Sequence, residues 1–132
     1  MHKLVILIEP PDDWAAFDDT WPQFLHHAES MPGLRREATS RVDAFLYGDR
    51  YYALMHELFF DTLEQAQQAM ASEEGRQAGR VLQALSLGHM VLFFADHMED
   101  DLENIKRLKE KERMSDFKLL IALRHHFLVK KY

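Results

Sequence analysis

The chain has 132 residues, 47% of them apolar and 29% charged, with a formal net charge of −6 and no cysteine. This is the length of one domain, and the apolar fraction is too high for a disordered protein. A chain without cysteine has no disulfides, thiolate catalysis or Cys-ligated metal sites, which agrees with a cytoplasmic protein. The longest N-terminal apolar run, Leu4 to Ile8, is too short for a signal peptide or a membrane span.

A strand and a helix are predicted near the N-terminus. The β-branched run from Leu4 to Ile8 precedes two prolines and is typical of a buried strand. The acidic residues from Asp12 to Asp19 suit a turn and a helix start better than an acid–base cluster. Thr20 fits an N-cap with Pro22 in the first turn, so a helix is expected to begin there and to end at the Pro-Gly pair before Leu34.

A β-hairpin is predicted next. Polar and apolar residues alternate from Leu34 to Leu46, which indicates a half-exposed strand. Gly48 and Asp49 mark a turn, and the aromatic and apolar segment from Tyr51 to Phe60 predicts the returning strand.

Two helical segments and a last strand complete the domain. Thr62 and Ser72 each fit an N-cap before apolar residues at helical spacing, Gly88 ends the second segment, and His89 to Ala95 predicts a strand. The order βαββαβ predicts an α+β, ferredoxin-like sandwich over residues 1–98. Because helices cover only one side of such a sheet, we expect a second copy of the chain to cover the other in a dimeric α+β barrel.

The charge changes sign toward the C-terminus. Residues 1–100 contain 17 acidic and 7 basic side chains, whereas residues 101–132 contain 5 and 9. A C-terminal helical extension over residues 99–132 is predicted to pack on the domain or on the dimer mate. One alternative is a tail that binds a membrane surface or nucleic acid, and another is an extension that comes from a frame change or a cloning sequence. Because acidic residues dilute the basic ones, we expect neither nucleic acid nor a membrane as partner. One helix is predicted from the helical spacing of the apolar residues Leu102, Ile105 and Leu108. A second is predicted to start at the capping pair Ser115-Asp116.

Five short motifs within residues 3–96 resemble the EthD family in their order and spacing. The resemblance implies a homodimer whose two sheets face each other and enclose a small, partly apolar cavity. EthD proteins are sometimes encoded beside ether- or aromatic-degrading oxygenases, but the family supplies no reaction. The motifs are Met31–Arg36, Tyr51-Tyr52, Glu57–Asp61, Leu63-Glu64 and Ser72–Gly75.

The same resemblance directs attention to the first helix. Many EthD proteins carry there an aromatic residue, three further residues and then His-Ala-Pro-Leu. In this chain Trp21 is followed by His26 and His27 at a spacing that departs from the pattern. His27 precedes Ala28 as in the motif, so the resemblance makes His27 the better catalytic candidate of the two.

Glu57 is the second catalytic candidate because it interrupts an otherwise apolar strand. A carboxylate in that setting either pairs with a cation or holds its proton more tightly, as a general base would. Arg35 and Arg41, on the polar face of the preceding strand, are the expected partners of Glu57 and candidate ligand-binding residues.

Three further residues lie on predicted strands whose register the sequence does not define: Tyr52, His56 and His89. Tyr52 and His89 are retained as ligand-binding candidates. The eight histidines show no His-x-x-x-His or Glu-x-x-His spacing, and the His26–Glu29 pair stands alone, so no metal site is predicted.

Three functional hypotheses follow, and none requires a cofactor. The first is a binding or accessory protein that holds a small apolar or aromatic metabolite in the dimer cavity. The second is a cofactor-independent isomerase or monooxygenase-like enzyme that uses a carboxylate base. The third is a protein-interaction module built on the basic tail. Nucleotide-binding glycine loops and serine nucleophile elbows are absent from the sequence.

Overall fold

The computed structural model describes residues 1–110 and 121–124. It divides into two compact units, the first from Met1 to His97 and the second beginning at Met98. In the second unit residues 102–110 and 121–124 are helical, whereas the predicted start of a second helix at Ser115 lies outside the described residues. Within the described parts of the chain, no helix has both the length and the apolar character needed to cross a bilayer.

The first unit is an antiparallel sheet with three helices. The elements in chain order are β1 (His2–Ile8), α1 (Trp14–Glu29), β2 (Arg36–Arg41), β3 (Leu54–Phe60), α2 (Leu63–Ala71), α3 (Glu73–Ser86) and β4 (Met90–Asp96). The strands follow the order β2-β3-β1-β4, which confirms the predicted α+β, ferredoxin-like class.

One face of the sheet and the three helices enclose the core. Alternate residues of β1 and β3 point toward the helices, as the period of two in a strand requires. Each large apolar side chain buried there contributes about 1.5–3 kcal/mol of hydrophobic free energy. The largest contributors are Ile6, Ile8, Phe24, Leu54, Leu58, Phe60 and Leu82.

Two of the three predicted helix N-caps are correct and one is wrong. Thr62 and Ser72 cap α2 and α3 as predicted, each accepting a backbone N–H three residues ahead. The predicted start of α1 at Thr20 is wrong, because Asp13 caps the helix six residues earlier by accepting the N–H of Ala16. Pro22 therefore lies inside α1, on an exposed side where water can bind the carbonyl that its missing N–H leaves unpaired.

Both hairpin strands are shorter than predicted, and residues 42–53 form a long connection. The pairing of the two strands ends where the N–H of Val42 donates to the carbonyl of Ala53, whose own N–H donates to the carbonyl of Ile8 on β1. Leu46 and Tyr47 are consequently fully exposed in this connection.

The second face of the sheet, which we call the helix-free face, points away from α1, α2 and α3. Of its apolar residues, Val5 and Phe59 are buried, whereas Val91 and Phe93 on β4 are 38% and 42% exposed. Exposed apolar side chains on a sheet of this size are typical of an interface. The face is formed by Lys3, Val5 and Leu7, by Arg36, Ala38 and Ser40, by Met55, Glu57 and Phe59, and by Val91, Phe93 and Ala95.

Candidate functional site

A buried histidine lies at the centre of β3. His56 has the same parity as Leu54 and Leu58, so its ring points into the core and is fully buried. On the helix side the ring meets Trp21 and Phe24 of α1 edge-on, with centroid distances of 5.3 Å and 5.7 Å. These contacts fix the orientation of the imidazole.

Both ring nitrogens of His56 have polar partners on the neighbouring edge strand β2. Nδ1 lies 2.7 Å from the hydroxyl of Thr39, and Nε2 lies 3.1 Å from a carboxyl oxygen of Glu37. Burial lowers the pKa of His56 to about 4, so the ring is neutral at pH 7. A neutral ring satisfies both contacts when Nε2–H donates to Glu37 and the Thr39 hydroxyl donates to Nδ1.

The carboxyl of Glu37 is also perturbed. Burial is the main cause that raises the pKa of Glu37 to about 7, and a hydrogen bond and like charge from the Glu29 carboxyl of α1 add to it. Glu37 therefore changes its charge near neutral pH, as a general acid or base must. We call Glu29, Glu37, Thr39 and His56 the His56 cluster.

Glu57 lies on the helix-free face and forms a salt bridge with Lys3 of β1. The predicted pairing of Glu57 with Arg35 or Arg41 is wrong. Glu57 is opposite Val5 in the ladder, so Lys3 is its diagonal neighbour on the same face.

The two arginines have other partners. Arg35 donates from Nε and Nη2 to one oxygen of Asp61, at 3.0 Å and 2.7 Å, and this bond lowers the pKa of Asp61. Arg41 lies 3.9 Å from Asp18 and 5.6 Å from the ring centre of Trp14. Both side chains are mostly exposed, so these ion pairs contribute little to stability.

The remaining predicted site residues are scattered. His27 is half-buried in the last turn of α1 beside His26, with ring centroids 5.4 Å apart. Tyr52 lies in the connection before β3 and not on a strand. His89 precedes β4, is mostly exposed and lies 3.6 Å from a carboxyl oxygen of Glu9. None of these side chains belongs to the His56 cluster.

A cleft of about 730 Å³ opens where β1 ends, α1 begins and α3 ends. Its wall combines apolar and aromatic side chains with polar and charged ones, four of them carboxylates. Of the predicted ligand-binding residues it contains His89; Tyr52 does not line it, whereas the neighbouring Tyr51 does. The lining includes Ile8, Pro10, Phe17, Tyr51, Leu85 and His89. Across the described part of the chain, no three His, Asp or Glu side chains are placed to share a metal ion.

Comparison with known proteins defines the family. No family model matches the chain. An ethyl tert-butyl ether D (EthD) family protein of Bacillus halodurans is 30% identical, and its crystal structure matches 74% of this chain and 99% of its own with a TM-score of 0.68. The chain belongs to the EthD family. The predicted resemblance is thereby confirmed.

Other comparisons found one protein of similar sequence and several solved structures that share the fold of this EthD protein. An uncharacterised 11.0 kDa protein from the thcB–thcC intergenic region of Rhodococcus erythropolis is 26% identical over 73% of this chain and 94% of its own. SnoaB, a cofactor-independent oxygenase of Streptomyces nogalater, is 14% identical over 75% and 94% of the two chains, with a TM-score of 0.57. Several further neighbours, 13–15% identical, are dimeric proteins of ferredoxin-like fold.

In this EthD protein, sequence reasoning overlooked the contact between Glu37 and His56 and left the direction of the His56 side chain open. The parity of His56 with Leu54, Leu58 and Phe60 on β3 was visible and indicates an inward-facing side chain. The contact with Glu37 was not, because it depends on the register between β2 and β3.

Proposed function

We propose that this EthD family protein is a cytoplasmic, homodimeric binding or accessory protein that holds a small apolar or aromatic metabolite, and that its site is the cleft and not the cavity expected between the two sheets of the dimer. The observation that carries the proposal is the cleft itself, because small-molecule sites are concave, mostly apolar and about 300–1,000 Å³ in volume. Phe17 and Tyr51 supply aromatic surface there, and Arg50 and His89 supply polar groups that can orient a ligand.

Filling the cleft tests this proposal. Ala84 lines it from an exposed position on α3, so Ala84→Trp is expected to weaken binding of the fluorescent probe 1-anilinonaphthalene-8-sulfonate at least about tenfold. Ala71→Trp, at an exposed position of α2 outside the lining, is the matched control and should bind the probe as the unmodified protein does. Equal affinity of both variants would contradict a ligand site in the cleft. Native mass spectrometry of freshly purified protein would show a retained metabolite directly.

The homodimer is the second part of the proposal, and the helix-free face supports it. Burying Phe93 between two sheets recovers hydrophobic free energy that a monomer leaves in water. Phe93→Asp is therefore expected to convert a dimer of twice 15.6 kDa into a monomer in native mass spectrometry at micromolar concentration. Leu87→Asp changes a more exposed apolar residue away from this face and should leave the dimer intact. A monomeric unmodified protein, or a Phe93→Asp dimer, would overturn the interface.

A cofactor-independent enzyme with a carboxylate base is the second candidate function. The His56 cluster favours it, because Glu37 is a carboxyl that titrates near neutral pH and is partly accessible. Glu57 fits this role less well, since the ammonium group of Lys3 already neutralises it. The oxygenase of Streptomyces nogalater shares the fold and no more at 14% identity.

A further inference from the structure

We propose that Glu37 is a general base for a small carbon acid, such as a carbonyl compound with an acidic α-hydrogen, and that His56 is its positioning residue. This inference rests on the second candidate function and needs no part of the cleft. It assigns the proton-transfer role to the β2 edge of the sheet, on the side that faces α1.

The carboxyl of Glu37 is held in one orientation by His56. One of its carboxyl oxygens lies 3.1 Å from Nε2 of His56, and Thr39 binds the opposite nitrogen at 2.7 Å. Trp21 and Phe24 enclose the ring, so the donor that orients Glu37 has no freedom to turn. A catalytic base is effective when its own orientation is supported in this manner.

The two residues of the pair differ in their access to solvent. His56 is fully buried, whereas the Glu37 side chain keeps 28% of its surface exposed on the edge strand. The carboxyl is thus the member of the pair that a small molecule can reach. His56 acts through it and does not touch the substrate.

The charges around the pair are negative. From α1 the carboxyl of Glu29 faces Glu37, and from β3 Glu57 acts on His56 from the opposite face of the sheet. Of the two arginines of β2, Arg41 lies beside Asp18 and is mostly exposed, and Arg36 lies over the ring of Phe59 on the opposite face. The partners of Glu37 are a neutral ring and another carboxyl, and neither provides a positive charge. A positive charge would lower the pKa of Glu37 and make it a weaker base.

The proposed step is balanced without an oxidant or a cofactor. The Glu37 carboxylate takes a proton from a carbon of the substrate, the C–H electron pair stays on the substrate as an enolate, and Glu37 becomes neutral. Where a C=C bond adjoins the acidic carbon, the enolate extends over that bond as a dienolate. The proton then returns from Glu37 to the far carbon of the bond and gives an isomer in which the double bond is conjugated with the carbonyl. Nε2–H of His56 donates to the carboxyl throughout.

The probe 5-nitrobenzisoxazole tests the base without knowledge of the natural substrate. When a base removes its C3 proton, the N–O bond breaks, the electron pair passes to oxygen, and a coloured 2-cyano-4-nitrophenolate forms. We expect the full chain to accelerate this reaction about 100-fold over an equal concentration of acetate, because positioned general bases contribute at least that factor. The rate should rise with pH through about 7, as the pKa of Glu37 requires.

Variants separate the roles of the residues. Glu37→Gln should lose the acceleration, and Glu37→Asp, which keeps the carboxyl but shortens its reach, should retain a fraction of it. Glu64→Gln removes an exposed carboxylate of α2 and should react as the unmodified protein does. His56→Phe removes the donor and should move the midpoint of the rate–pH profile upward, a change that loss of packing alone would not cause.

Two results would overturn the proposal. One is a rate for the unmodified protein no higher than that of acetate. The other is equal rates for Glu37→Gln and Glu64→Gln with both variants folded, as shown by far-UV circular dichroism. Binding of 1-anilinonaphthalene-8-sulfonate measured on the same samples tells a failure of the base from a failure of the cleft, because Glu37 does not line the cleft.

Discussion

Gly75→Ala is expected to lower the free energy of unfolding by about 3 kcal/mol, the upper range for an overpacked interior site. Gly75 is buried in the first turn of α3, directly after the junction with α2. A Cβ atom at this position would lie 2.1 Å from the carbonyl oxygen of Ala69 and 2.7 Å from that of Met70. Both are backbone atoms of α2, so relief requires the two helices to separate. Ser72, whose hydroxyl accepts the N–H of Gly75, would lose its capping geometry in the process.

Gly79 in the same helix is the matched control. Nothing lies within 4 Å of a Cβ placed there, and the backbone is helical. Gly79→Ala should therefore stabilise the protein by about 0.5–1 kcal/mol, the helix-propensity difference between the two residues. Urea denaturation followed by circular dichroism measures both changes. Similar shifts of the two midpoints in the same direction would show that the α2–α3 junction is not as closely packed as described.

The parts of the fold that sequence reasoning predicted are those with local causes. Thr62 and Ser72 cap the helices that follow them, because an N-cap needs only a side-chain oxygen and an N–H three residues away. The start of α1 was wrong for a related reason. Thr20 and Asp13 are both plausible caps, and the choice is decided by packing of Phe17 into the core, which extends the helix toward Asp13.

The candidate site depends on contacts that no local pattern contains. Glu37 meets His56 only because β2 pairs with β3 in the register that places Thr39 opposite His56. Glu29 joins them only because α1 crosses that edge of the sheet. Likewise, Lys3 reaches Glu57 through the pairing of β1 with β3, 54 residues apart in sequence. A shift of one residue in one of these ladders would exchange the faces of its strand and remove the pair that depends on that ladder.

Relative to the unmodified protein, the free energies of unfolding of Glu37→Gln and His56→Phe are expected to change with pH in opposite directions. His56 has a pKa lowered from 6.5 to about 4, so the unfolded chain binds a proton between these values that the folded chain does not. Its contribution is present above pH 6.5 and is lost as the pH falls to 4, by about 3 kcal/mol at most. Glu37 has a pKa raised from 4.5 to about 7, so its contribution is present below pH 4.5 and is lost as the pH rises through 7.

Between pH 4.5 and 6.5, His56 and Glu37 change the free energy of unfolding of the unmodified protein in opposite directions as the pH falls. Glu37→Gln removes the stabilisation that Glu37 contributes on acidification, so acidification from pH 6.5 to 4 should destabilise this variant more than it destabilises the unmodified protein. His56→Phe removes the other, and this variant should instead gain stability relative to the unmodified protein as the pH falls from 6.5 to 4.5. Taking each variant against the unmodified protein cancels the titration of carboxylates outside the cluster, which is common to all three.

Urea denaturation at half-unit steps from pH 4 to 8 measures these differences in the free energy of unfolding. Their sign shows whether the pKa values of His56 and Glu37 are shifted as stated. Divergence in the stated directions means that the ring stays neutral and that the carboxyl keeps its proton to near neutral pH, the two states that a positioned base requires. Parallel curves would mean that both groups titrate as they do in the unfolded chain. Burial would then perturb neither group, and the β2 edge would have no physical basis for proton transfer.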